Sequence, residues 1–349
     1  MSRPPTGVRP AKVSPLWLVA GTVGVLGAAT AGLSIGTVAL PPGGVLLEVL
    51  DHMPGVHVHS GLDPTEAAIV WQLRLPRVIV GLFVGALLSV AGGAYQGVFR
   101  NPLADPFLLG AASGAGLGAT LAIVWHLGGG AYGAVPLAAF VGATAAVALA
   151  YGIAQSAGGR SPAILLLAGV AVAYFLQSIQ AYLLQRHQET IREVYSFLMG
   201  RLTSSSWSDV RTIVPFAALT TVVLLAMRRS LDVLSVGDEE AAALGLHVNR
   251  TRLIVVLAAT LATAAAVSVS GLIVFVGLIV PHTIRLVAGS SYRVIIPLSL
   301  LFGAAFLTVA DIFARTLASP AEIPIGVITA FFGAPFFVFV LLQRRRPTL

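Results

Sequence analysis

Read for its apolar and polar positions, the 349-residue chain is a series of long apolar runs separated by short polar breaks. A membrane-spanning helix needs about 20 mostly apolar residues. That rule predicts helices near 16–36, 74–98, 106–126, 134–155, 162–185, 209–228, 251–270, 272–289, 294–316 and 324–342, ten in all. The apolar run 253–289 is too long for one span; Gly271 and Pro281 interrupt it, and the division is placed at Gly271. The first run, Leu16 to Leu40, follows Arg3, Arg9 and Lys12 and contains Ala29-Thr30-Ala31, which imitates a signal peptide. It far exceeds the ~7–15 apolar residues of a signal sequence and reads as an uncleaved first span.

Composition agrees with this reading. Hydrophobic residues make up 57% of the chain and charged residues 10%, with a mean hydropathy of +0.91. A soluble domain carries about 25% charged residues, so the expected class is an all-α integral membrane protein with ten transmembrane helices. The net charge of +7 does not indicate nucleic acid, because the basic residues sit singly or in short clusters at the ends of apolar runs. An even span count puts both termini on one side. With the termini cytoplasmic, 14 basic residues fall inside and 7 outside, the asymmetry the positive-inside rule requires. With no cysteine, disulfides, iron–sulfur clusters and thiolate chemistry are excluded.

Small residues recur at i,i+4 spacing in Gly81/Gly85, Gly93/Gly97 and Gly110/Gly114/Gly118, which permits close approach of membrane helices and implies a scaffold role. Asp311 is the one acid well inside a predicted span, four residues before Arg315, so the two can pair. His282 and Arg285 follow Pro281 toward the inner face, within reach of headgroups or loops. Gln177 and Gln180 either line a cavity or join helices. The loop segment DHMPGVHVHSGLD offers Asp51, His52, His57, His59 and Asp63 as metal-ligand candidates. With no second shell or fourth ligand in view, a solvated, pH-sensitive loop is the preferred reading and no metal site is assigned.

Residues 235–246, SVGDEEAAALGL, stand apart as an acidic amphipathic segment between apolar runs. Ser235 or Asp238 can cap a short helix, the acids of its first turn suit the helix dipole, and Gly245 suits a C-terminal stop. Membrane-surface helices are usually basic on the polar face. This one is acidic and presents a compact face of Ala241, Ala242, Ala243 and Leu244, which suits a groove on another protein. A phosphate-binding P-loop is excluded, because the only lysine, Lys12, follows Ala11. No HExxH or GxSxG motif is present.

The stretches RLPRVIVGLFVGALLSVAGGAYQGVFRNPLADPFLLGAASGAGLG (74–118), SVGDEEAAALGL, GLIVFVGLIVPHTIRLVAGSSYR (271–293) and ADIFARTLASPAEIPIGVITAFFGAPFF (310–337) resemble, in the same order, permeases of bacterial ABC importers for iron–siderophores, haem and cobalamin. The resemblance implies the type II importer permease fold, with residues 1–349 as one permease domain, 41–70 as an extracytoplasmic loop and 230–250 as the cytoplasmic coupling segment. It also implies a homodimer in the inner (cytoplasmic) membrane, two separate ATPase subunits that bind ATP and magnesium, and an extracytoplasmic substrate-binding protein. No cofactor and no enzymatic activity are expected in this chain.

By the same resemblance, Gly237, Asp238, Glu239, Glu240, Ala241, Ala242, Leu244 and Gly245 dock the ATPase. Arg74, Arg77 and Arg315 meet acids of the binding protein, a role that suits the bidentate guanidinium. Asn101, Pro102 and Leu103, with Pro162 and Ala163 before the fifth span, narrow the pathway. Pro162 and Ala163 depart from the small hydroxyl residues more usual there. Ferric siderophore is the first substrate expectation, haem or cobalamin the next. The rival is an ion-gradient-driven transporter, which calls for membrane-embedded acids and an inverted repeat. A membrane-embedded enzyme would need clustered catalytic groups in the spans, and none is seen.

Overall fold

The computed structural model describes residues 13–127, 134–157 and 162–343, and among them all regular structure is helical. The first span is α1 (Pro15–Ser34). The loop after it is ordered as α2 (Pro42–Asp51) and α3 (Pro64–Ala68). Through a π-helical turn, Ile69–Arg74, α3 runs directly into α4 (Leu75–Val98), so this helix begins ten residues earlier than its apolar run. The start is set by a capping box: Asp63 Oδ1 accepts from the Thr65 and Glu66 amides at 2.7 and 2.9 Å, and Glu66 accepts from the Asp63 amide at 3.1 Å.

The predicted helix 106–126 is shorter, α5 (Ala111–Val124), because NPLADP folds into side-chain-bonded turns. There Asn101 Oδ1 accepts from the Leu103 amide at 3.0 Å and Asp105 Oδ1 from the Phe107 amide at 2.8 Å. Then come α6 (Val135–Ser156), α7 (Pro162–Arg186), a short amphipathic α8 (Ile191–Leu198) not visible in the apolar pattern, and α9 (Trp207–Leu234). The acidic segment 235–246 contains α10 (Asp238–Ala243), followed by α11 (Val248–Ser270). The division at Gly271 is borne out: that glycine has φ +68, residues 271–275 are not helical, and α12 (Val276–Val287) follows. The chain closes with α13 (Tyr292–Thr316) and α14 (Ile325–Gln343).

Among the described residues seven helices are long and apolar enough to cross a membrane. The predicted spans 106–126, 272–289 and 324–342 correspond instead to shorter apolar helices, Ala111–Val124, Val276–Val287 and Ile325–Val340. The non-helical stretches beside α5 and α12 are packed within protein, where irregular backbone at membrane depth is tolerated.

Burial sorts the helices. The apolar window of Pro64–Val98 is 78% buried and that of α11 72%, against 22% for α1 and 28% for α9. The continuous helix ending in α4 is therefore the central post, packed on α13, α11, α9 and α12. Glycines make this possible. A Cβ on Gly85 would overlap the Gly303 carbonyl, and one on Gly92 would overlap the Gly277 backbone. In the second packed pair, α5 and α6, Gly114 and Gly118 meet Gly142 and Ala138 backbone to backbone. Gly81 and Gly93 make only ordinary contacts, so the close approach read from the spacing holds at some of those positions and not all.

Candidate functional site

The acidic helix lies between α9 and α11. Its N-cap is Gly237, at φ +136, in place of Ser235 or Asp238: Ser235 instead donates to the Asp232 carbonyl at 2.6 Å, and Asp238 is the first helical residue. The Glu240 carboxylate folds back over Gly237. The stop at Gly245 is as expected, at φ +83, with its amide on Ala242 O at 2.9 Å and the Leu246 amide on Ala241 O at 3.0 Å. Ala241 is buried, which seats the helix, while Glu239, Glu240, Ala242, Ala243 and Leu244 face outward, Leu244 at 70% exposure. Asp238 belongs to the fold. Both its oxygens lie 3.0 Å from Arg252 Nη2, and Arg100 Nη2 is 3.5 Å from Oδ1.

At the other end of the bundle the structure brings Arg74, Arg77 and Arg315 together, all buried. Arg77 binds Asp311 through Nε at 3.0 and 3.1 Å and Nη2 at 2.8 Å, and binds Glu322 through Nη1 and Nη2 at 2.9 Å each. Arg315 Nη2 is 3.6 Å from Asp311, the expected i,i+4 pair, and donates to the Gly32 carbonyl at 2.7 Å. Arg74 donates to the carbonyls of Leu33, Ser34 and Val38, completing the C-terminal end of α1. In this conformation the arginines are thus engaged within the chain rather than extended toward a partner. Three guanidinium groups against two carboxylates leave the cluster net positive.

Glu322, on the loop between α13 and α14, was not singled out from the sequence; its one signal is an acid in the polar gap between the last two spans. Burial raises its affinity for a proton, but the Arg77 hydrogen bonds and charge outweigh that, helped by Thr203 at 2.8 Å, and hold the carboxyl below the usual glutamate range. Its contribution to stability is therefore complete above the unfolded-state pKa and lost as pH falls through the lower folded value. In thermal unfolding from pH 7 down to 3, the stability advantage of the natural chain over Glu322→Gln is expected to shrink on acidification. An advantage that grows with acid would contradict the pairing.

The two ring-bearing and cationic residues of α12 turn inward. His282 is buried, and Arg285 donates to Gln96 Oε1 at 3.1 Å and Tyr292 Oη at 3.3 Å, because α12 packs between α4 and α13. Gln177 and Gln180 join helices, reaching Ser113 at 3.3 Å and Thr120 at 2.9 Å on α5. Of the pathway residues, Asn101 and Leu103 form the turn after α4, and Pro162 and Ala163 open α7, Ala163 exposed. Arg160 and Ser161 lie outside the described residues, as do Arg3, Arg9, Lys12 and Arg344–Arg346. On the loop after α1 His52 stacks on Trp71 at 3.9 Å, Asp51 accepts from the Val58 amide at 2.9 Å, and Asp63 is the cap described above. Among the described residues no group of three or more His, Asp and Glu is placed to hold a metal ion.

A glycine-packed helical body with ionisable groups gathered at its two ends, and with several helices fit to cross a bilayer, defines a multi-pass membrane protein. The chain belongs to the FecCD transport family, which it matches over residues 24–343. It is 42% identical to the cobalamin import system permease protein BtuC of Halobacterium salinarum, over 90% of this chain and 85% of that one. It is 40% identical to the Fe(3+)-citrate import system permease protein YfmD of Bacillus subtilis (86% and 88%). Among solved structures it resembles an inward-facing conformation of a metal-chelate type ABC transporter, with TM-score 0.82 and 30% identity over 95% of this chain and 100% of the other. The resemblance to chelate-importer permeases and their fold is thereby borne out.

Proposed function

We propose that this chain is the permease of an ATP-driven importer for a large metal chelate, ferric siderophore first and haem or cobalamin next. The observation that carries this is similarity along nearly the whole chain to import permeases for cobalamin and ferric citrate. It works as a homodimer in the cytoplasmic membrane with both termini inside, the three shorter apolar helices completing ten crossings. Two ATPase subunits, which bind the ATP and magnesium, sit below, and a binding protein docks outside. Glu239, Glu240, Ala242 and Leu244 are the docking face toward the ATPase. At the outer face the net-positive cluster of Arg74, Arg77 and Arg315 favours an acidic partner surface through its field.

The test is purification of the chain with whatever ATPase accompanies it, reconstitution in liposomes, and uptake of ferric citrate, a ferric hydroxamate, haemin and cobalamin with ATP on the ATPase side. Uptake of one of these only with ATP is expected. Changing Glu239, Glu240 and Leu244 together to alanine should lose the ATPase from the purified complex and abolish uptake, while the chain still inserts. Uptake driven by a pH gradient without ATP would replace this reading with that of an ion-coupled transporter.

A further inference from the structure

The coupling helix and the gate turn are joined by one carboxylate. Asp238, the first residue of α10, holds Arg252 of α11 on one side and Arg100, the residue immediately before Asn101-Pro102-Leu103, on the other. We propose that Arg100 is a positioning residue that carries movement of the coupling helix to the gate turn through this ion pair. The proposal rests on the coupling reading given above and on the expectation that Asn101, Pro102 and Leu103 narrow the pathway.

The two arms differ in a way that suits such a part. Arg252 has a side chain only 7% exposed and reaches both oxygens of Asp238 at 3.0 Å, so this arm keeps α10 seated on α11. The Arg100 arm is longer, at 3.5 Å, and its side chains are 37% and 36% exposed, so it can form and break with little desolvation. When α10 is displaced, the arm that yields or pulls is the one attached to the gate turn.

The backbone at Arg100 gives a second, independent reason to look for a role. Here α4 ends with the Asn101 amide on Gln96 O at 3.1 Å and the Arg100 amide on Gly97 O at 3.3 Å, the helix stop in which the intervening residue is left-handed and usually glycine. Arg100 occupies that position at φ +50. A side chain there is mildly strained, and a merely structural requirement would be better met by glycine. Retaining arginine at a glycine-favoured position is accounted for by what its guanidinium reaches, which is Asp238.

This also supplies the variant. Arg100→Gly removes the ion pair and relieves the backbone, so it is expected to fold at least as well as the natural chain. The chain has no cysteine, so Leu103→Cys can be introduced as a single reporter on the gate turn. In the reconstituted complex with its ATPase, the reading is the rate at which a water-soluble maleimide labels that cysteine, with and without ATP. The Leu103→Cys parent is expected to show an ATP-dependent rate. Adding Arg100→Gly should leave the unfolding temperature equal or higher, yet reduce the ATP-dependent change by about threefold, the size of effect an exposed pair can exert. Arg100→Lys should retain most of the change. Asp238→Asn, which also weakens the Arg252 arm, should lose at least as much as Arg100→Gly, and adding Arg100→Gly to it should cause no further loss, because the Arg100 arm is already gone. An undiminished ATP response in Arg100→Gly, or additive losses in the double variant, would overturn the proposal while leaving the importer reading intact. A parent whose labelling ignores ATP would overturn the coupling reading and this proposal with it.

Discussion

Replacing Asp311 with alanine is expected to destabilise the protein by about 3–5 kcal/mol, the range for removing one partner from a buried ion pair. Asp311 is 2% exposed and is the shared acceptor of Arg77 and Arg315. Without it Arg77 retains Glu322, but Arg315, 4% exposed, is left beside Arg74 and Arg77 with the Gly32 carbonyl as its hydrogen-bond acceptor among the described residues. The large cost comes from stranding buried positive charge, which exceeds the modest net gain of forming the pair. Asp311→Asn keeps an oxygen acceptor and should cost clearly less. Thermal unfolding of the three proteins in the same detergent checks the order, and a loss under about 1 kcal/mol for alanine would mean that the cluster is solvated. The same pair of variants addresses ion coupling. An acid that carried protons across the membrane would lose transport in the asparagine form with little change in stability.

Gly92→Val is expected to cost about 3 kcal/mol or more, at the upper end of overpacking penalties. A Cβ at Gly92 would enter the space of the Gly277 carbonyl, and both partners are backbone, so no side chain can swing aside. Either α4 and α12 separate, opening voids among their buried neighbours, or one of them bends. Gly92→Ala, whose Cβ alone meets the same backbone, should already fall well below Gly93→Ala, the matched control, because the Cβ at Gly93 meets only side chains at 3.4 Å or beyond. The expected result is a large fall in unfolding temperature and in monodisperse yield for Gly92→Val, with Gly93→Ala near the natural protein. Equal effects at the two positions would show that helix propensity, rather than the α4–α12 contact, governs this region.

The neighbouring pair Gly92 and Gly93 shows what a sequence cannot resolve. Both lie in one glycine-rich stretch of the second predicted helix, and the i,i+4 spacing pointed to Gly93 rather than Gly92. Which of them tolerates no Cβ depends on where α12, some 185 residues later, places its backbone. The arginines divide in the same way. Arg315 and Asp311 are one turn apart, so their pairing could be read directly, whereas the stronger partner of Asp311 is Arg77, 234 residues away. The exposed acidic face of α10 was legible for a similar reason, since amphipathy within residues 238–245 is local. That Asp238 serves the fold, and that Arg252 and Arg100 claim it, was not legible, because both arginines counted in the sequence only as inner-face charge.

By itself, then, the sequence determined the membrane class, the place of every apolar run, the break at Gly271, the stop at Gly245 and the family resemblance. Each of these follows from hydropathy, backbone preference or motif within a short window, where the physics is complete in the residues themselves. Only the tertiary structure decided that the second helix is the central post, that Arg77 and Arg315 face inward onto Asp311, that His282 and Arg285 are turned into the bundle, and that α10 is tied through Asp238 to the turn after α4. Those depend on which distant surfaces meet, and a charge or a glycine carries no record of its partner until the chain has folded around it.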